Sequence, residues 1–329
     1  QIYGRRLCDR RTCVDFMVVV RSASVFLSDC IPNYIDAVFE TVSGFNANRI
    51  YYFAEYRGSS ERNEFLAVLY TLDRRNGSAR FVMMITSLDT DNSMSLMRAE
   101  VPGPEMDKLV PKVRHTAKLL YQMYFVLTIA EVIFLMFGGM NLYDAVVHSF
   151  STAGTGGFSN RNASVAFYDS AYIDGVITVF MILFGINFNL YFLLLLKDWK
   201  SVLKNEELRV YLGVVAAAIV TITINILSMY ETVAHAFRYA SFQVGAIITT
   251  TGFYTADFEQ WPELSKTILM MLMVIGACGG STGGGIKVSR FMILCKSIRQ
   301  EIHKMLHPNA VTMVRMNGKK VGADTMRSI

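Results

Sequence analysis

Four apolar runs close to the length of a bilayer crossing constrain this chain more than any other feature. A helix needs roughly 20 apolar residues to carry it through about 30 Å of hydrocarbon. Runs of that size occupy residues 117–140, 172–196, 210–229 and 265–295, the last interrupted by GACGGSTGGGIK at 276–287. Of the 329 residues 52% are hydrophobic, and the mean hydropathy is +0.33, which together exceed the usage of soluble domains. The chain is therefore expected to be an all-α, multi-pass membrane protein. Between the first and second runs, and again between the third and fourth, lies a shorter apolar piece that ends in Gly and Thr: LYDAVVHSFSTAGTGGFS (142–159) and FQVGAIITTTGFYTADF (242–258). Each is too short to cross, and each is expected to enter the membrane, turn and leave by the side it entered. The repeated unit is span, re-entrant half-helix, extended Gly/Thr strand, span.

The net charge of +5 could suggest a nucleic-acid partner. Its basic residues instead fall in short segments between apolar runs, so the expected surroundings are lipid and no nucleic acid. Lys108, Lys112, Arg114 and Lys118 precede the first run. Lys197, Lys200, Lys204 and Arg209 join the second to the third, and Lys296, Arg299 and Lys304 follow the fourth. The positive-inside rule places these segments in the cytoplasm. The re-entrant pieces carry Arg161 and Arg238 against Asp144, Asp169, Asp257, Glu259 and Glu263, and face outward. Five cysteines do not make a disulfide framework, and Cys8 and Cys13 lack the second pair a zinc site needs. No His, Cys, Asp or Glu positions form a catalytic pair or metal cluster at span depth, so an enzyme is not expected. The chain opens at Gln1 without a signal peptide and stops at Ile329, and it is expected to be incomplete at both ends.

The strands Ala153, Gly154, Thr155, Gly156, Gly157 and Thr249, Thr250, Thr251, Gly252 have the composition of a pore lining. Backbone outside regular helix is tolerated at membrane depth only where protein buries it or a watery cavity meets it. Carbonyls aimed at an axis can replace the hydration shell of a monovalent cation, and the C-terminal ends of the half-helices favour positive charge. Helix-capping turns or close packing through small residues would be the plainer account. Its weakness is that the pattern occurs twice, each time between two spans.

Seven ordered motifs carry a resemblance: DAVFETVSGF (36–45), MRAEVPGP (97–104), STAGTGGFS (151–159), GINFNLYF (185–192), TTTGF (249–253), GACGGSTGGGIKVSR (276–290) and HPNAV (307–311). The sequence resembles the membrane subunit of Trk/Ktr-type potassium uptake systems. The resemblance implies helix, pore-loop, helix units around a pseudo-fourfold axis, with potassium as the transported ion and no cofactor. It divides the chain into a first unit at 1–93, a second at 94–204, a third at 205–306 with a glycine-broken second helix, and the start of a fourth at 307–329. It makes Gly157 and Gly252 selectivity-filter glycines. Gly276, Gly279, Gly280, Ser281, Thr282, Gly283, Gly284 and Gly285, with Lys287, become an intramembrane gating loop below the filter. It also implies a homodimer and a cytosolic, nucleotide-sensing regulatory subunit. Channel-like flow and coupling to protons or sodium both stay open.

Length agrees with the loop reading, because 265–275 gives at most about 17 Å of helix. Residues 286–302 are expected to complete that crossing. A phosphate-binding loop is the rival: Gly280 and Gly285 have the spacing of GxxxxGK[ST], but Ile286 intervenes before Lys287 and Val288 stands where Ser or Thr belongs. Lys287 is expected to anchor the cytoplasmic side or to place a positive group near the pore mouth.

The first unit departs from the pattern. Asn46, Ala47, Asn48 and Arg49 follow DAVFETVSGF where a Thr-Thr-Thr-Gly type strand belongs, and 46–80 holds no spanning run. Residues 1–27 and 46–80 read either as out of frame or as a natural insertion. With two filter strands legible and four needed, the chain as written is expected to be inactive; a non-functional fragment or a structural membrane scaffold is the alternative function. Asn187 and Asn189 are expected to hydrogen-bond between helices, with a pore-facing Asn187 as the alternative, and Glu131 to face a partner helix. His148 and His235 are expected to be packing residues, with pH sensing as the alternative. The methionines of 269–273 are expected to meet lipid or neighbouring helices.

Overall fold

The computed structural model describes residues 113–161, 163–307 and 313–321. The first unit at 1–93, Cys8 and Cys13, the motifs at 36–45 and 97–104, and HPNAV beyond His307 lie outside the described residues. The order is α1 (Val113–Phe137), α2 (Leu142–Ala153), a 3-10 turn (Ser164–Tyr168), α3 (Ala171–Phe184), α4 (Phe188–Leu195), α5 (Trp199–Lys204) and α6 (Glu206–Ile226). It continues through α7 (Val233–Ile248), a 3-10 turn (Phe258–Gln260), α8 (Glu263–Ile275) and α9 (Val288–Leu306). The strands among the described residues are a short antiparallel hairpin, β1 (Arg315–Met316) and β2 (Lys319–Lys320), with Arg315 opposite Lys320. The described residues are all-α apart from that hairpin. Long helix, short helix, irregular segment and helix follow one another twice, as α1–α2–α3 and α6–α7–α8.

Among the described residues two stretches are long and apolar enough to cross a membrane, Leu119–Phe137 and Glu206–Met229, and the bent pair α3 and α4 makes a third if it is one span. The bundle is apolar on its outside as well as within. Val126, Phe137, Ile224, Met270, Met271 and Met273 are exposed, whereas Glu131, Ser149, Ser151 and Gln243 are buried. That inversion suits hydrocarbon surroundings, and it leaves the α8 methionines Met270, Met271 and Met273 exposed.

The expected single span at 172–196 is instead two helices, α3 and α4, meeting at 90°. Gly185 closes α3 by donating its N–H to Met181 O and Ile182 O. Asn187 then starts α4, its side chain accepting the Asn189 N–H at 3.0 Å. The two asparagines therefore form a helix cap and not an interhelical pair, because a short amide at the bend satisfies a donor that the new helix leaves open. The α6 helix presses on this corner. A Cβ at Gly185 would stand 2.3 Å from the Tyr211 hydroxyl, which donates to Ile182 O at 3.2 Å.

The fourth run is broken as anticipated, with α8 ending at Ile275 and α9 beginning at Val288. The segment expected to complete that crossing, 286–302, falls largely in α9. The α9 helix carries Arg290, Lys296, Arg299, Glu301 and Lys304, and it is not among the helices apolar enough to cross.

The core joins the two helix sets. Leu135 of α1, Ala145 of α2 and Ile173, Ile177 and Met181 of α3 pack against Phe242 and Ala246 of α7 and against Phe253 beyond it. Behind them Ile222, Ala240, Val244, Ile248, Leu272, Ala277 and Cys278 make a second cluster, which places the glycine loop inside the bundle.

Candidate functional site

The two Gly/Thr segments emerge from the C-terminal ends of α2 and α7. Ala153 is still helical, and uncoiling begins one residue later than the sequence suggested. Gly154 and Thr249 occupy the cap positions with closely similar right-handed dihedrals, φ −76 ψ −1 and φ −83 ψ −4. At the next position Thr155 and Thr250 are both left-handed, with φ 47 and φ 57. Two residues further, Gly157 and Gly252 are again alike at φ 70 and φ 72. Phe158 and Phe253 follow, both buried.

Capping bonds hold these turns. Thr155 N–H reaches Thr152 O at 2.9 Å, and Thr250 N–H reaches Ile247 O at 3.0 Å. Gly156 donates to Ser151 O at 2.7 Å, and Gly252 to Ala246 O at 2.9 Å. A left-handed threonine is uncommon, and two of them at matching positions identify the segments as versions of one motif. In the second, Thr249 donates to Gly245 O at 2.6 Å and its hydroxyl meets that of Thr251 at 2.8 Å.

The glycine loop lies against both segments. Thr155 donates its hydroxyl to Thr282 O at 3.2 Å, and the Thr250 hydroxyl accepts the Gly284 N–H at 2.7 Å. The loop doubles back on itself, with Ile286 N–H bonded to Val274 O at 3.1 Å and Lys287 N–H to Ile275 O at 3.0 Å. Gly276 and Gly285 touch where the chain crosses, so that a Cβ on Gly276 would lie 2.4 Å from Gly284 O. Helix corners hold its lower side: Cys278 N–H donates to Gly185 O at 3.1 Å, and Gly279 N–H to the Glu207 carboxylate at 2.5 Å. Gly280 passes beside Asn187, where a Cβ would come 2.9 Å from the amide oxygen. Ser281 turns back on Cys278 O at 2.6 Å, and Thr282 donates to Phe184 O at 3.3 Å. Gly283 lies under Thr249, and its carbonyl accepts Lys287 Nζ. Lys287 is thus folded into the loop. The element before the loop is helix α8, where a phosphate-binding loop would follow a strand.

Other flagged residues take distinct places. Glu131 is fully buried in α1 against the Thr152 hydroxyl of α2. His148 is fully buried, and its Nδ1 donates to Asp144 O at 2.7 Å, since a carbonyl can only accept. Its Nε2 therefore accepts the Ser159 hydroxyl at 3.0 Å, while the ring stacks on Phe253 at 5.7 Å. This one imidazole joins the residues that follow the two Gly/Thr segments, a link the sequence does not disclose. His235 is exposed near the start of α7.

Two of the acids expected to face outward, Asp144 and Asp169, pair with the arginines. Asp144 is bonded by Asn160, by Arg161 at 3.1 Å and by Tyr168 at 2.7 Å. Arg238 joins Asp174 at 2.7 Å and Asp169 at 3.2 Å. Burial raises the Asp144 carboxyl, but the bonds from Tyr168, Asn160 and Arg161 outweigh it and leave it below the usual carboxylate range. The folded value lies under the unfolded one of about 3.9. The stability Asp144 supplies is therefore present above that pH and is lost as pH falls through the folded value. Asp144→Asn is expected to cost about 2 kcal/mol at neutral pH and to flatten the acid limb of thermal unfolding in detergent; an acid limb unchanged from the parent would contradict it.

A sequence model of the family described as "TrkH: Cation transport protein" matches residues 12–329. The chain belongs to the TrkH family. The match includes residues 46–80. The Trk system potassium uptake protein TrkH of Salmonella typhimurium is 38% identical over 230 residues, which are 69% of this chain and 48% of that protein. TrkG of Escherichia coli, also named a Trk system potassium uptake protein, is 31% identical over 302 residues, 90% of this chain and 62% of the relative. The crystal structure of the potassium transporter TrkH from Vibrio parahaemolyticus superposes with a TM-score of 0.73 at 28% identity, covering 88% of this chain and 60% of that one. The chain thus spans about half of the TrkH relative from Salmonella and about three-fifths of TrkG.

Proposed function

We propose that this TrkH-family chain contributes to potassium uptake across the cell membrane, with the segments at 153–157 and 249–252 as two walls of a carbonyl-lined selectivity filter. The observation that carries the reading is the paired contact of the glycine loop with Thr155 and Thr250, at the same position in two segments of the same handedness. A filter of this kind strips the hydration shell and discriminates by carbonyl number and field. The loop from Gly276 to Gly285 obstructs the path beneath it and rearranges to open it. Lys287 closes the loop end on Gly283 O. The units at 94–204 and 205–306 stand around a pseudo-fourfold axis, with 1–93 and 307–329 belonging to the first and fourth units. The transporting assembly is a homodimer, and a cytosolic nucleotide-binding subunit docks on its basic inner surface.

A version completed to four pore units tests the reading in cells that lack potassium uptake. Growth at limiting potassium is expected. A stable membrane protein that never restores growth would favour a structural scaffold.

A further inference from the structure

We infer that Glu207 is the latch of the glycine loop, and that the hairpin at 313–321 sets where that latch stands. This deepens the gating reading and rests on it. Glu207 is the second residue of α6 and is 3% exposed. Its Oε1 accepts the Gly279 N–H at 2.5 Å. The first turn of α6 supplies a partial positive charge that favours a carboxylate there. The approach depends on Gly279 itself: a Cβ at that position would meet Ser289 Oγ at 2.9 Å and Glu207 Oε1 at 3.4 Å. The loop's contacts with Gly185 O, Phe184 O and the two threonine hydroxyls involve neutral groups. Hydrogen bonds to an ionised acceptor are roughly twice as strong as those, so of these bonds from the loop to neighbouring segments the one to Glu207 is the strongest hold.

The neighbouring residue is pinned from the cytoplasmic side. Glu206 N–H donates to Asn317 Oδ1 at 2.9 Å. Lys296 Nζ bonds the Glu206 carboxylate and also reaches Arg315 O at 2.9 Å. Val314 and Met316 of the hairpin pack on Ile293 of α9. A push on the hairpin therefore moves the first turn of α6, and with it the carboxylate that holds Gly279. Glu207 is a positioning residue: it acts on the ion path through the loop.

Cys278 reports the latch directly, because it adjoins Gly279 and is fully buried. In the full chain with Cys8, Cys13, Cys30 and Cys295 changed to Ser, the rate of maleimide labelling is measured in membranes open at the cytoplasmic face. Glu207→Ala is expected to label about tenfold faster than the parent, and Glu207→Gln, which keeps an acceptor oxygen, at a rate between the two. Asn317→Ala leaves Glu207 in place and is expected to accelerate labelling by about threefold. Labelling of both alanine variants within about twofold of the parent overturns the latch. If Glu207→Ala does not accumulate, Asn317→Ala decides. Fast labelling without potassium leak in the four-unit version would keep the latch and sink the gate, whereas leak with unchanged labelling would sink the latch.

Discussion

Gly252→Ser, in the four-unit version, is expected to lower potassium over sodium discrimination by roughly tenfold. Gly252 holds φ 72, and its N–H caps α7 by bonding Ala246 O at 2.9 Å. A side chain in that left-handed region costs about 1–2 kcal/mol. The segment relieves this strain by rotating its peptides, and the carbonyls that define the ion's cage turn with them. A shift of 1.4 kcal/mol is a tenfold change in an equilibrium, so moderate strain is enough to erase a preference between two cations of equal charge. Phe253 is fully buried against His148 and fixes the segment from beyond the glycine. The distortion is therefore confined to the Thr/Gly stretch, and the protein is expected to remain folded. Flux of each cation into proteoliposomes reads the ratio, and a ratio equal to that of the parent would remove Gly252 from the filter.

Gly276→Ala and Gly285→Ala are expected to open a basal leak of more than tenfold. These residues touch where the loop crosses itself. A Cβ on Gly285 would stand 2.7 Å from Gly276 Cα, and one on Gly276 would stand 2.8 Å from Gly285 Cα. The obstructing atoms are backbone, which cannot step aside as a flexible side chain can. Both positions are left-handed as well, at φ 72 and φ 81. Backbone strain and overpacking together come to about 3 kcal/mol, which exceeds what the Thr155 and Thr250 contacts return at about 1 kcal/mol each, so the side of the loop that meets the two segments is released even while Glu207 holds Gly279. The loop is then expected to leave its seat under the two segments. Gly175→Ala in α3, where a Cβ meets nothing within 4 Å, is the matched control and is expected to leave flux unchanged. Deleting residues 279–285 is expected to produce the same leak, and a tight pore in all three variants would end the gating claim.

Much of this architecture was legible because membrane burial writes itself into composition. The runs at 117–140 and 210–229 became α1 and α6, and the short apolar piece at 142–159 supplied α2, whereas α7 begins at Val233, nine residues before the piece read at 242–258. Hydropathy could not see the corner at 185–187, where every neighbour is apolar and a single Gly-Ile-Asn turn diverts the chain. The loop was legible as broken helix from its glycines, yet its partners were not. Glu207 reads as an ordinary acid in the first turn of a helix capped by Asn205, and only the fold brings it 72 positions along the chain to Gly279. The buried His148 offered no signal beyond its place on a short helix, because its partners Ser159 and Phe253 belong to two different segments.

The central claim is that the segments ending at Gly157 and Gly252 hold a dehydrated cation between them. Anomalous scattering from crystals of the four-unit version grown with rubidium in place of potassium tests it most directly. The account predicts an ion on the axis within coordinating distance of carbonyls from both segments, directly above the glycine loop. Rubidium bound elsewhere, with both segments facing away from every ion, would contradict it.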